Sequence, residues 1–177
     1  SEQQALKLID YLWKHQHTTP FEMIETWWEM KLPIFVARQL LRHRTVSINE
    51  VSRRYVSDPV EFYVPETWRY VAKDKKQGSA DEGITDSDLH SNFWGDILDE
   101  DGMGSDAISP REVFEEARAA YHRLIKLGIC PEQARMVLPL STYTRWIWHQ
   151  DLRNLFHMLK LRTEKHAQKE TRDVAKA

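Results

Sequence analysis

Residues 42–55 hold the densest group of side chains in this sequence that could bind an anion. Within fourteen residues there are four arginines, one histidine and two serines, and Glu50 is the only acidic residue. Because Arg42, His43 and Arg44 are consecutive, they repel one another unless an anion binds between them. Guanidinium groups match phosphate through paired hydrogen bonds, so the group predicts a phosphate-bearing ligand. A cationic helix end exposed to water is the alternative interpretation.

A second set of candidates lies on a helix predicted between Leu152 and His166. With successive residues 100° apart, the apolar residues share one face and Arg162 falls at its margin. A guanidinium at that position needs a partner anion or a costly desolvation. Arg153 and His157 occupy a different face, which indicates that two faces serve two ligands. The alternative is that all three cations are solvated, with Arg162 extending its charged end to water.

Other kinds of site are not indicated. The sequence has no G-x-G-x-x-G and no Walker A loop, so neither a Rossmann nor a P-loop nucleotide site is expected. His15 and His17 are the nearest thing to a metal pair, but no further ligand is suitably spaced, so no metal is expected. Cys130 is the only cysteine, which rules out a disulfide within the chain. No basic residue lies beside it, so we interpret it as structural rather than nucleophilic.

Composition narrows the class of protein. A length of 177 residues suits one domain, and 41% hydrophobic with 29% charged residues is ordinary for a globular protein. The net charge of −2 argues against a nucleic-acid partner. No apolar run reaches the ~18 residues of a membrane span, and no signal peptide is apparent. A cytoplasmic protein without a membrane partner is therefore expected.

Hydrophobic periodicity predicts the elements that position these residues. Residues 73–108 hold ten acidic residues and five glycines, and we predict an acidic, mobile surface insertion there. Arg38 and Arg42 would form a like-charge pair on one helix, which a bound phosphate would stabilise. The predicted helices are 3–16, Pro33 to His43, 109–127 with a capped start at Ser109, a short helix from Pro131, 152–166 capped by Asp151, and a tail helix within 165–177. The predicted strands are 25–32 and 141–150, and residues 46–55 are expected to be extended or looped.

The order of these residues resembles the signature of a known family. Arg42-His43-Arg44, seven residues and then Ser52 are similar to the R-H-R-x7-S motif of flavin-dependent thymidylate synthases. Residues 49–55 also fit its longer form, N-E-x-S-x-R-Y. The resemblance spans roughly residues 8–172, with a gap in the middle. Further segments in the family's order are 17–22 (H-x-x-P-F-E), 33–39 (P-x-F-V-x-R-Q), 134–139, 161–162 and 166–168.

The resemblance implies a fold and an activity. The fold would be α/β (α+β), a single domain over 1–177 with a small antiparallel or mixed sheet and several packed helices. The chain would form homotetramers whose active sites are shared between subunits. It would convert dUMP to dTMP, with methylenetetrahydrofolate as carbon donor and FAD, reduced by NADPH, as hydride carrier. Two alternatives remain: a related enzyme that adds another one-carbon group to a pyrimidine deoxynucleotide, and a non-catalytic flavin- or nucleotide-binding homologue.

The resemblance also implies roles for individual residues, matched by position. Arg162 would be catalytic, facing the uracil and favouring ionisation at N3. The sequence departs from the family's usual residues at Arg53, often a small residue, and at Asp151, often Asn. The residues that would contact FAD are His17, Thr19, Arg42, His43, Arg44, Glu50, Asp151, Arg153 and His157, the last three from another subunit. The residues that would surround dUMP are Gln39, Leu40, Leu41, Arg42, Glu50, Ser52, Arg53, Arg54, Arg135 and Arg162.

Overall fold

The computed structural model describes residues 1–57, 59–73, 78–93 and 109–177. They belong to two compact units. Unit 1 comprises Ser1–Met30, Leu40–Glu50 and Arg145–Ala177, and unit 2 comprises Lys31–Gln39 and Val51–Thr144. The described elements, in chain order, are α1 (Glu2–Lys14), α2 (Thr19–Glu22), β1 (Glu25–Pro33), α3 (Ile34–Leu40), β2 (Ser47–Glu50), β3 (Thr67–Val71), β4 (Ser79–Thr85), α4 (Asp86–Phe93), α5 (Pro110–Lys126), α6 (Pro131–Ala134), a 3-10 turn (Arg135–Val137), β5 (Tyr143–Asp151), α7 (Leu152–Thr163) and α8 (Lys169–Lys176).

A three-stranded sheet with the order β1-β5-β2 supports unit 1. Strand β2 runs antiparallel to β5, with Ser47 opposite His149. Side chains alternate between the two faces of a strand, and on β5 this alternation buries Trp146, Trp148 and Gln150. The two tryptophan rings lie 5.9 Å apart. The central strand therefore supplies much of the core of unit 1.

Unit 2 contains the antiparallel pair β3-β4 and the long helix α5. Gly83 of β4 lies so close to β3 that a Cβ there would be 2.3 Å from the carbonyl oxygen of Trp68. Helix α5 packs Tyr121 into a small core with Val60 and Ala134. Ser109 caps α5 in a reciprocal capping box with Glu112, and Gly128 follows its end with φ +81°, a conformation that favours glycine.

Most of the predicted elements are confirmed, as is the mixed fold class with small antiparallel sheets and several helices. The helix at 3–16, both strands, the capped helix from Ser109 and the tail helix occur close to their predicted positions. Asp151 caps α7, because its carboxylate accepts a hydrogen bond from the Asn154 amide at 2.9 Å. The single domain over 1–177 stays a prediction.

The helix predicted from Pro33 to His43 is wrong at both ends. Pro33 is the last residue of β1, an outer strand of the sheet, where its missing N–H is tolerated. Helix α3 ends at Leu40, and the His43 amide then bonds to the Leu40 carbonyl oxygen at 3.0 Å, closing a tight turn. Arg42 therefore lies beyond the helix, so the predicted i,i+4 pair with Arg38 is not formed.

Two further boundaries differ from prediction. Helix α7 ends at Thr163 rather than at His166. The segment 73–108 contains strand β4 and helix α4, which were not predicted; pairing with β3 stabilises β4 despite its acidic composition. Residues 74–77 and 94–108 of the predicted insertion lie outside the described residues. None of the described helices combines the length and apolar character needed to cross a membrane.

Candidate functional site

Unit 1 contains a cavity of about 940 Å³, near the upper end of the ~300–1,000 Å³ typical of small-molecule sites. Among the described residues that line it, five carry a permanent positive charge and none is acidic. The lining residues are Trp13, Gln16, Thr18, Arg42, His43, Arg44, Thr45, Arg153, Asn154, Phe156, His157, Lys160, Leu161 and Arg162. Such a surface favours a ligand that carries several negative charges.

One wall of the cavity is the turn that follows α3. Leu40 is fully buried and anchors the start of this turn. At its other end, the buried Gln150 of β5 donates a hydrogen bond to the Thr45 hydroxyl at 3.1 Å. Between these anchors Arg42 and Arg44 are exposed, whereas only 8% of His43 is accessible. The turn thus presents two guanidinium groups to solvent and directs the imidazole inward.

Helix α7 forms another wall. Leu155 and Met158 are buried and fix the rotation of the helix about its axis. Arg153, His157 and Arg162 all line the cavity, and the division into two faces for two ligands stays a prediction.

A hydrogen bond joins these two walls. The Arg162 Nε–H donates to Nε2 of His43 at 2.9 Å, and the ring of His157 lies 6.3 Å from that of His43. Burial lowers the pKa of His43 from its ordinary value of 6.5, and the charges of Arg162 and His157 lower it further. At neutral pH His43 is therefore a neutral imidazole with Nε2 as acceptor.

The cavity is electropositive, since few of the described residues neutralise the cations that line it. Within the described part of the chain, neither Arg42 nor Arg44 has an ion-pair partner. Arg153 lies 3.4 Å from a carboxylate oxygen of Glu22, which also accepts a hydrogen bond from Thr18. Trp13 and Phe156 add an apolar surface, with their rings 5.1 Å apart and nearly perpendicular.

Some residues of unit 1 predicted to bind ligands lie elsewhere. His17 and Thr19 are exposed and are not among the described lining residues, although Thr18 between them is. Leu41 is 47% exposed, whereas Leu40 is a core residue. Glu50 ends β2. Asp151 acts on the cavity indirectly, by capping the helix that carries Arg153.

The predicted dUMP residues Gln39, Ser52, Arg53, Arg54 and Arg135 belong to unit 2. The Arg53 guanidinium donates hydrogen bonds to the carbonyl oxygens of Ser57 and Pro59, at 3.2 and 2.6 Å. It therefore stabilises the backbone that follows it in the chain.

Arg54 pairs with Glu132 at 2.5 Å and lies over the Tyr55 ring. The Ser52 hydroxyl accepts a hydrogen bond from the Arg54 amide at 3.3 Å. Gln39 and Arg135 are exposed. Arg135 is thus an exposed cation, whereas Arg53 and Arg54 are engaged with other groups of the protein.

Sequence reasoning missed several lining residues. Trp13 lies at an apolar position of an amphipathic helix, which signals core packing rather than a ligand. Thr45, Asn154 and Lys160 are ordinary polar residues beside predicted ones, and only that proximity could have indicated them. Cys130 is exposed and contributes no cavity-lining atom.

Comparison with known proteins adds to this geometry. A sequence model of the family described as thymidylate synthase complementing protein matches residues 1–177. A flavin-dependent thymidylate synthase of Thermus thermophilus is 48% identical over 170 residues, covering 96% of this chain and 56% of its own length. One from Treponema denticola is 45% identical, with coverages of 95% and 59%. The chain thus spans less than three fifths of these relatives.

A solved structure is also similar. The UMP/dUMP methylase PolB from Streptomyces cacaoi, bound with 5-Br UMP, matches with a TM-score of 0.77 and 33% sequence identity. The match covers 96% of this chain and 73% of that one. The arrangement of helices and small sheets described above is therefore found in a nucleotide methylase.

Proposed function

We propose that this chain, which belongs to the thymidylate synthase complementing protein family, takes part in the reductive methylation of dUMP to dTMP. The names of its relatives support a flavin-dependent thymidylate synthase, and the similar methylase acts on UMP and dUMP. The observation that carries the proposal is the cavity of unit 1, whose lining has five permanent positive charges and no carboxylate among the described residues.

The residues of this cavity fit FAD. The pyrophosphate of a dinucleotide needs several donors, which Arg42, Arg44 and Arg153 can supply. Its ring systems need apolar and aromatic surface, which Trp13 and Phe156 supply. When bound and reduced by NADPH, FAD would supply the hydride that completes the methyl group, with methylenetetrahydrofolate as the carbon donor.

Arg162 is the proposed catalytic residue. Its side chain is half-buried at the cavity wall, where a fixed positive charge is worth more than in water. Placed against the uracil, it would stabilise negative charge as N3 ionises and so increase the electron density at C5.

The residues proposed to bind dUMP are those matched by position to the family motif. The substrate phosphate would be bound by cations and hydroxyls of unit 2, among them the exposed Arg135. Homotetramer formation, with active sites shared between subunits, completes this proposal. The proposed partners are dUMP and folate. The proposed location is the cytoplasm, since a single exposed cysteine suits a reducing compartment.

The test is product analysis with the purified chain. Incubation with FAD, NADPH, methylenetetrahydrofolate and 5-tritiated dUMP should release tritium and yield dTMP, and omission of FAD should abolish both. Flavin binding without any product would instead support the non-catalytic alternative, and a different modified base would support another one-carbon transfer.

A second substrate is tested in the same assay, because the similar methylase structure names both UMP and dUMP. Equal turnover of UMP and dUMP would broaden the proposed function to uridylate methylation. Turnover of dUMP alone would restrict it to thymidylate synthesis.

A further inference from the structure

His43 occupies an unusual position in the cluster of basic residues. Its neighbours Arg42 and Arg44 are exposed, whereas 8% of His43 is accessible. The buried imidazole accepts the Nε–H of Arg162 at 2.9 Å, across 119 positions of sequence. An arginine side chain rotates about several bonds, so a fixed acceptor for its Nε–H restricts the plane in which the guanidinium lies.

We propose that His43 is a positioning residue for Arg162, acting as a neutral imidazole whose Nε2 orients the guanidinium within the cavity. The inference rests on the proposed function, in which Arg162 faces the uracil. It assigns His43 a task distinct from those of Arg42 and Arg44, whose exposed charges suit direct contact with an anion.

The surroundings of His43 favour the form that this role requires. Arg162 and His157 face it from α7, and Arg42 and Arg44 are its chain neighbours. On α2, the carboxylate of Glu22 pairs with Arg153. A proton on Nε2 would remove the acceptor and place a new cation against Arg162, so protonation of His43 would release the guanidinium.

The variants His43→Gln and His43→Leu separate positioning from packing. Glutamine keeps an acceptor but does not titrate, whereas leucine fills similar space and accepts nothing. For dUMP, we expect kcat to fall about tenfold or more in His43→Leu, the scale for losing a hydrogen bond to a charged group. His43→Gln should recover most of that loss.

The pH profile is the readout that a packing role would not change. In the wild-type protein, kcat/KM for dUMP should fall on the acid side with an apparent pKa below 6.5, and this acid limb should be absent in His43→Gln. Equal kcat values for the leucine and glutamine variants, or an unchanged acid limb, would overturn the proposal. Flavin absorbance is measured in each variant so that loss of FAD is not mistaken for misplacement of Arg162.

A second measurement, the protonation state of His43 by NMR, does not require a variant that retains activity. In the wild-type protein labelled with ¹⁵N-histidine, Nε2 of His43 should resonate as the unprotonated nitrogen of a neutral ring at neutral pH. The signal is assigned by its absence in His43→Gln, or in His43→Asn if that variant does not fold. A proton on Nε2 would contradict the inference. If the wild-type chain methylates neither dUMP nor UMP, the proposed function fails, while the protonation state still tests the contact.

Discussion

The arginines of the two units differ in what satisfies their charge and hydrogen bonds. In unit 2, Arg111 pairs with Asp86 at 2.6 Å, Arg54 pairs with Glu132, and Arg53 donates to backbone carbonyls. In unit 1, Arg42 and Arg44 line a cavity, and neither forms an ion pair with any residue that the structure describes. These guanidinium groups of unit 2 thus mainly stabilise the fold, whereas Arg42 and Arg44 of unit 1 are available to a ligand.

Arg135 qualifies this contrast. It belongs to unit 2 and is exposed, and within the described ranges it has no ion-pair partner. It is also one of the residues predicted to bind dUMP. Within the described residues, Arg135 therefore resembles Arg42 and Arg44 rather than the paired arginines of its own unit.

The largest effect is expected at Arg162. Arg162→Ala should lower the rate of dUMP methylation by roughly 10²–10³-fold, the scale for removing one group that stabilises transition-state charge. Arg162→Lys should recover little, because a point charge cannot reproduce a planar fork. Single-turnover kinetics with flavin-saturated protein would measure both. The matched control is Arg111→Ala, which removes a guanidinium of unit 2 that pairs with Asp86. If Arg111→Ala slowed dUMP methylation as much as Arg162→Ala, the proposed functional difference between these arginines would be contradicted.

The N-caps of α5 and α7 allow the two units to be compared in their contribution to the stability of the protein. Asp151→Ala removes the cap of α7 and Ser109→Ala the cap of α5, and each should lower the free energy of unfolding by about 0.5–2 kcal/mol. Urea titration measures both losses. Only Asp151→Ala should also weaken FAD binding, because α7 carries Arg153 and His157. Equal flavin affinities in the two variants would show that the cap does not help to shape the cavity.

A smaller effect is expected from pH. The folded-state pKa of His43 lies below its ordinary value of 6.5 because of burial, Arg162 and His157. Above that value the residue is neutral in both states. As the pH falls below 6.5, His43 is protonated more readily in the unfolded chain than in the folded protein. The free energy of unfolding therefore decreases until the pH is also below the folded-state pKa of His43. His43→Gln should lack this component when urea titrations at about pH 8 and pH 5 are compared.

The smallest effect is expected at Cys130. The thiol is exposed and does not line the cavity, and the proposed reaction forms no bond between the enzyme and the pyrimidine. Cys130→Ser should therefore leave turnover within about twofold of wild type. A loss of several orders of magnitude, with flavin content retained, would instead support a thiolate nucleophile.

The features predicted correctly from the sequence are local ones. The capping signals at Ser109 and Asp151 concern residues three positions apart, and the alternation on β5 follows from a period of two. The end of α3 at Leu40 was not predictable, because a turn held by Gln150 and Thr45 depends on a distant strand. Strand β4 was missed because its acidic composition conceals a pairing with β3.

The same division applies to the site. The cluster from Arg42 to Arg44 was visible as a run of charges, and its similarity to a family motif predicted a ligand for it. The contact between His43 and Arg162 joins residues 119 positions apart, and no local pattern encodes it. The hydrogen bonds from Arg53 to the carbonyl oxygens of Ser57 and Pro59 were also not predicted, because they depend on the local course of the backbone.

The central claim is that the charges of the unit 1 cavity bind a phosphate-bearing flavin. The most direct measurement is an FAD titration, followed by flavin absorbance and fluorescence, of the wild-type chain, the Arg42→Ala/Arg44→Ala double variant and the Arg111→Ala control. We expect the wild type and the control to bind FAD with equal affinity and the double variant to bind at least about a hundredfold more weakly, since two charge-assisted contacts are removed. Unchanged affinity in the double variant, or failure of the wild type to bind FAD, would contradict the claim.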